Sequence, residues 1–144
     1  MKTILATAAL LSTIFLAAPI KAENPDHVKQ LLETRACENC DLSGADLASA
    51  HLIGVDLRNA NLQGANLVNA NLEGADLTGA NLKGANLSGA FVNGTTLNAA
   101  NLVGVNFTDA RLYSADVANA VMSDITLDGA SVYNTGISVG GEYP

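Results

Sequence analysis

The 144-residue sequence predicts an all-β solenoid, a rod that repeats one short packing unit along its length. Three observations lead to this prediction. From Cys40 to Asn134 the chain divides into nineteen groups of five residues. All nineteen third positions are apolar, and fourteen of the nineteen first positions are alanine. Ten fifth positions are glycine, and most of the others are Asn, Asp or Ser, which favour turns.

The period of five decides the class of structure. It fits neither the 3.6-residue period of an α-helix nor the two-residue period of a simple strand, and the many Asn and Gly residues disfavour a helix. The pattern instead predicts a chain that runs briefly extended, turns a corner and repeats. The third residue of each group then points inward, together with the small first residue.

The repeated A(D/N)LxG pattern resembles the pentapeptide-repeat family over about residues 40–139. The resemblance implies a right-handed quadrilateral β-helix with four groups in each coil. Residues 135–139 fit as a degraded twentieth group, so the solenoid is expected to hold about five coils. Residues twenty apart would then stack on one face of the rod.

Residues 1–22 have the pattern of a cleavable signal peptide. A positive start at Lys2 precedes the apolar, uncharged residues 4–18, and Ala22 offers a small residue at the cleavage point. The alternative is an uncleaved anchor, but the apolar run is shorter than the roughly 20 residues that a spanning helix needs. We therefore expect an exported protein that starts near Glu23 and has no membrane attachment after cleavage.

Residues 23–39 are expected to hold a short N-terminal capping helix and a cysteine motif. The Asn-Pro-Asp run at residues 24–26 has the order of an N-cap, a proline at the first helical position and an acid in the first turn. The helix is expected to end near Thr34 and to place an apolar face on the first coil. Three residues form that predicted face: Val28, Leu31 and Leu32.

Cys37 and Cys40 lie between the helix and the first coil. Cys40 takes a first position and Cys37 the third position of the preceding group, so both are expected to point inward. In an exported protein, a disulfide that ties the helix to the solenoid is the leading interpretation. Two buried free thiols and a redox-active CxxC pair are the alternatives. A zinc site lacks further ligands, since the only histidines are His27 and His51.

The surface charge and the missing motifs exclude several classes of function. Cleavage of residues 1–22 removes two of the seven basic residues, and the five that remain face fourteen acidic ones, a net charge near −9. This charge argues against nucleic acid, whose phosphates require basic partners, and against anionic membranes. The sequence has no Ser-His-Asp or Cys-His set and no phosphate-binding loop. We expect no catalytic residue, no cofactor and no metal site.

One predicted face breaks the regular pattern. The first two faces carry Asn and Asp ladders that we interpret as structural, and the fourth carries Asp56, Asp76 and Asp116 beside Arg58, which favours a solvated acidic face over a weak cation site. The third face instead carries aromatic residues and arginine, which are enriched at binding surfaces. Phe91 and Arg111 should be close enough for a cation–π contact. The candidate interaction face consists of His51, Ile53, Phe91, Arg111, Tyr113 and Tyr133. The alternative is neutral variation on an inert face.

The C-terminal end has no predicted helix over it. Residues 140–144 form a short tail, so the last coil is covered by this tail or by another subunit. The resemblance implies homodimers through the C-terminal end, because some family members associate in that way. Similarity to exported cyanobacterial members with a short helix and CxxC implies the periplasm or the thylakoid lumen.

The expected function is a non-enzymatic structural or protein-interaction module with an unidentified protein partner. The first alternative is a DNA-mimicking, gyrase-binding pentapeptide protein, whose acidic surface this chain resembles. The second is an ice- or ion-binding solenoid, although its faces present Asn and Asp where ice-binding faces present rows of Thr.

Overall fold

The computed structural model describes residues 23–137, and its first element is helix α1, Pro25–Thr34. The side chain of Asn24 accepts hydrogen bonds from the N–H groups of Asp26 and His27, at 3.1 and 3.4 Å. At the other end, Arg35 adopts a left-handed conformation, and its N–H donates to the carbonyl of Leu31. The predicted helix bounds are confirmed. The predicted signal peptide, residues 138–139 and the tail at residues 140–144 lie outside the described residues.

The apolar face of α1 differs from the predicted one. Leu31 is fully buried and Val28 is partly buried against the core, whereas Leu32 is 55% exposed. The prediction for Leu32 was wrong because successive helical residues point about 100° apart. The side of α1 that meets the first coil is centred near Leu31, so Leu32 turns away from it.

After α1 the chain winds with a repeat of twenty residues. Fifteen isolated parallel bridges join residues twenty apart, from Ala36–Asp56 to Asn106–Thr126. Two short strands, β1 at Arg111–Tyr113 and β2 at Ser131–Tyr133, pair in parallel with the same register. Four groups of five residues therefore complete one coil and form four faces. The face that contains β1 and β2 is called the third face.

The chain forms little regular sheet because each group spends two residues on a turn. The first residue of a group donates to the third-position carbonyl of the group before it, as Ala45 does to Leu42 at 3.0 Å. The fifth residue of every group from Gly44 to Asn134 has a positive φ, as a type II turn requires. Only the second and third residues stay extended, so most coils pair through single bridges where longer strands would be expected of an all-β fold.

The first and third positions form the core, as predicted. Every third-position side chain from Leu42 to Val117 is buried. The polar Thr95 is buried at a first position, where its hydroxyl donates to the carbonyl of Leu72 at 2.8 Å. Ile137 is 7% exposed and fills the third position of the degraded twentieth group. The last coil departs from the prediction that all third positions point inward, because Met122 is 36% exposed and Leu127 and Val132 are only partly buried.

Candidate interaction face

On the regular faces, the second-position Asn or Asp is a structural residue. Its Oδ1 accepts a hydrogen bond from the N–H two residues later, as between Asn61 and Gln63 at 3.2 Å. Asn61 and Asn81 also donate to the second-position oxygen of the preceding coil, both at 3.2 Å. The predicted ladders on these faces are therefore hydrogen-bonded, and they satisfy the outward N–H groups of the turns.

The third face lacks this acceptor at several coils. Phe91 cannot accept a hydrogen bond, and the N–H of Asn93 meets no protein acceptor within residues 23–137. The N–H group of Ile53 is free in the same sense. The N–H of Tyr113 is satisfied differently, because it donates to Oδ1 of Asn93 in the preceding coil, at 3.1 Å. Sequence reasoning did not single out Asn93. The available signal was the residue two positions earlier, which is neither Asn nor Asp.

An aromatic patch occupies the C-terminal part of the third face. We define it by Phe91, Arg111, Tyr113 and Tyr133. The Arg111 guanidinium carbon lies 4.9 Å from the centre of the Phe91 ring, which confirms the predicted cation–π contact. Tyr113 and Tyr133 lie opposite each other in β1 and β2 and are 44% and 70% exposed. Because side chains two apart on a strand point to the same side, Arg111 and Tyr113 both face outward.

The other two predicted residues do not join this patch. His51 and Ile53 lie in the first coil, and the coil that contains Asn71 separates them from Phe91. Ile53 is 46% exposed, and its carbonyl accepts a hydrogen bond from the Arg35 guanidinium next to α1. The six predicted residues therefore form one cluster of four and a separate pair near the helix.

The fourth face holds its carboxylates around one arginine. Arg58 contacts Asp56 at 2.7 Å, Glu38 at 3.4 Å and Asp76 at 4.0 Å, so it links the N-terminal segment to the first two coils. Its hydrogen bond to Asp56 lowers the pKa of that carboxyl below the usual value. The part of the chain that the structure describes contains no group of three His, Cys, Asp or Glu side chains arranged to hold a metal ion.

The two cysteines form a disulfide at the N-terminal end of the rod. The Cys37–Cys40 S–S distance is 1.98 Å, and both residues are buried. The disulfide interpretation of the sequence is thus confirmed. Nearby, two side chains that sequence reasoning did not select act as acceptors: His27 Nδ1 for the N–H of Asp41 and Glu23 Oε2 for the N–H of Asp46, at 2.9 and 3.0 Å.

Comparison with known families identifies the class of protein. The family described as pentapeptide repeats (8 copies) matches residues 40–79 and 75–113, which is more than half of the chain. The chain belongs to the pentapeptide-repeat family. Members of this family are right-handed quadrilateral β-helices, and the twenty-residue register of the bridges is the register of that fold. No curated protein sequence matches the chain.

Solved structures support the same fold. The pentapeptide repeat protein Rfr23 from the cyanobacterium Cyanothece 51142 is 26% identical, over 77% of this chain and 92% of that one, with a TM-score of 0.59. QnrB1, a plasmid-mediated fluoroquinolone resistance protein, was solved after trypsin treatment. It is 24% identical over 69% of this chain and 51% of that one, with a TM-score of 0.58, and this likeness shows the fold alone.

A third solved structure is a pentapeptide repeat protein from the Arabidopsis thaliana thylakoid lumen. It is 29% identical over 74% of this chain and 67% of that one, with a TM-score of 0.43. A likeness at this TM-score carries no argument about compartment. Within residues 23–137, no helix has the length and apolar character needed to span a bilayer.

Proposed function

We propose that the chain is a non-enzymatic structural and protein-interaction module that acts outside the cytoplasm and binds a protein partner through its third face. The observation that carries this proposal is the aromatic patch, where a cation–π pair and two exposed tyrosines stand on a face that lacks the regular Asn and Asp pattern. Aromatic residues and arginine dominate the energetics of protein interfaces.

The interior of the rod favours a surface function over catalysis. Buried side chains, most of them Leu and Ala, fill the inside of the solenoid from Leu42 to Leu112. An enzyme of this architecture would have to place its catalytic groups on an exposed face, without the water-excluded site that strengthens electrostatic catalysis. The proposal accordingly includes no catalytic residue and no cofactor.

The compartment is proposed from the sequence and the cysteines. Residues 1–22 have the pattern of a signal peptide, and disulfides persist in oxidising compartments outside the cytoplasm. The Cys37–Cys40 disulfide suits the periplasm or the thylakoid lumen. Fractionation of the native host and N-terminal sequencing of the mature chain test this part: a cytoplasmic protein that retains Met1 would contradict it.

We also propose that the solenoid has about five coils and that α1 is its N-terminal cap. Inside the rod, a second-position N–H donates to a carbonyl of the preceding coil, as Asn61 does to Cys40 at 2.8 Å. The first coil has no preceding coil. There the N–H groups of Asp41 and Asp46 donate to side chains of the N-terminal segment, while Leu31 covers the core.

The opposite end is proposed to be a surface for self-association. Val121 and Met122 are 58% and 36% exposed in the last coil. Burial of these side chains in an end-to-end homodimer would remove apolar surface from water. Sedimentation velocity over a range of concentrations tests this proposal, with Val121→Asp expected to give a monomer at every concentration. A wild-type chain that is monomeric throughout would contradict it.

The protein-interaction function is tested by cross-linking in the native host. Tagged wild-type chain is expected to recover a partner that the Tyr113→Ser/Tyr133→Ser variant loses. The matched control is Gln63→Ser/Lys83→Ser, which changes two exposed fourth-position side chains on the opposite face and is expected to retain the partner. Retention of the partner by the tyrosine variant would show that the third face is inert.

A further inference from the structure

We propose that the aromatic patch recognises a carboxylate on its protein partner, held by Arg111 and the free donors of Asn93, with an apolar side chain of the partner on the two tyrosines. This inference rests on the proposed function and specifies which chemical groups the partner presents to the third face.

Arg111 is a cation without an anionic partner in the described chain. None of its guanidinium N–H groups donates to a protein acceptor, and it takes part in no ion pair within residues 23–137. Among residues 23–137, its one specific contact is the Phe91 ring, and the Arg111 side chain is otherwise exposed. By contrast, Arg58 forms ion pairs with three carboxylates. A guanidinium presents a fork of donors that fits a carboxylate in a bidentate pair.

Asn93 adds donors on the same face, one coil before Arg111. Its Oδ1 is occupied by the N–H of Tyr113, so its side-chain NH₂ points away from that bond. Its own backbone N–H has no protein acceptor among the described residues, because Phe91 stands where the regular pattern has Asn or Asp. On a regular face, Oδ1 of the second-position Asn or Asp accepts a hydrogen bond from the corresponding N–H. Phe91, which stands in place of Asn or Asp, therefore contacts the Arg111 guanidinium and leaves the Asn93 N–H without its usual acceptor.

The surrounding charge favours one carboxylate and disfavours a polyanion. The chain after residue 22 carries five basic and fourteen acidic residues, so extended phosphate backbones are repelled. A single side-chain carboxylate is small enough to contact the donors of Arg111 and Asn93 without extending over the acidic residues elsewhere on the rod. Tyr113 and Tyr133 then supply an apolar platform along the same face, 44% and 70% exposed. We therefore assign to the partner an acidic residue next to an aromatic or aliphatic one.

The test is a ¹⁵N NMR titration of the chain from residue 23 onward, disulfide-bonded, with two peptides. The probe is acetyl-Phe-Glu-amide, and the control is its neutral isostere, acetyl-Phe-Gln-amide. We expect the glutamate peptide to shift the backbone amide of Asn93 in a saturable way. The equally free amides of Asn98 and Ser123, on other faces, should not move. Arg111→Gln should weaken binding by about tenfold or more, as expected for loss of a hydrogen bond to a charged group.

The control variant is Lys83→Gln, which removes an exposed cation from the opposite face and should leave the affinity unchanged. The same spectra report whether each variant is folded. Equal binding of the two peptides, binding unaffected by Arg111→Gln, or no saturable shift would each overturn the carboxylate assignment. If the titration fails while the tyrosine variant still loses its cross-linked partner, the interaction function stands and only the assigned chemistry falls.

Discussion

The two ends of the rod differ in how far their apolar surface and backbone N–H groups are covered. At the N-terminal end, α1 buries Leu31 in the core, and the side chains of His27 and Glu23 accept the N–H groups that a preceding coil would have accepted. At the C-terminal end, Val121 and Met122 are exposed, and Leu127 and Val132 are only half-buried. A solenoid end exposes both apolar surface and unpaired backbone. The difference teaches that burial and hydrogen bonding are completed at one end, whereas the described residues at the other leave apolar surface available.

The largest expected effect comes from removing the core contact of α1. Leu31→Ala should destabilise the protein by about 2–5 kcal/mol, because it leaves a cavity under a fully buried side chain. Leu127→Ala at the other end should cost less than about 2 kcal/mol, since that side chain is already partly exposed. Urea unfolding followed by circular dichroism measures both values.

The matched control for this prediction is Leu32→Ala. Leu32 is the next residue on the same helix and is 55% exposed, so its truncation should change the free energy of unfolding by no more than about 0.5 kcal/mol. A Leu31→Ala effect as small as that of Leu32 would show that α1 does not cap the core. The N-terminal end would then be no better covered than the C-terminal end.

The next effect concerns the disulfide, which lies at the N-terminal end. Reduction of Cys37–Cys40 should lower the free energy of unfolding by about 2 kcal/mol, because the short closed loop constrains the unfolded chain. Hydrogen exchange should accelerate first at the amides of Asp41 and Asp46, which depend on the N-terminal segment for their acceptors.

The control for reduction is the Cys37→Ala/Cys40→Ala variant measured with and without reductant. It should be insensitive to reductant, and alanine at position 40 matches the residue usual at first positions. If exchange at the C-terminal amides of Thr126 and Ser131 accelerates as much as at Asp41, the disulfide does not act locally on its own end.

The sequence predicts what depends on the repeat and misses what depends on where the coils place side chains. The buried third-position Leu, the turns at the fifth positions and the Phe91–Arg111 contact follow from the five-residue repeat and the twenty-residue coil. The acceptor roles of His27 and Glu23 do not, because they require the path of the helix over the first coil.

Leu32 shows the same limit at the scale of one helix. The apolar pattern gives a face, but the angle at which α1 meets the coil decides which residues that face buries. At the candidate site, the alignment of residues twenty apart located the aromatic patch. The free donors of Asn93 became visible only once the hydrogen bonds of the regular faces were known.

The smallest effect tests the corners, which also differ between the ends. The corners of the rod are the fifth-position residues. From Gly44 to Gly104, nine of the thirteen fifth-position residues are glycine. From Asp109 to Asn134, Gly129 is the only glycine among six. Ala99 is the only alanine in a corner, at φ 55. A left-handed conformation costs a residue with a Cβ roughly 1–2 kcal/mol.

Ala99→Gly should therefore stabilise the protein by about 0.5–1 kcal/mol, since relief of the corner exceeds the entropy that glycine adds to the unfolded chain. The matched control is Ala118→Gly, an exposed turn alanine whose carbonyl accepts the N–H of Ala99 at 2.8 Å and whose own φ is not positive. It should destabilise by about 0.4–1 kcal/mol, because it adds the same entropy without relieving strain. Thermal unfolding of the two variants measures the difference. Equal midpoints would mean that the alanine corner costs nothing, and corner composition would then play no part in how the two ends differ.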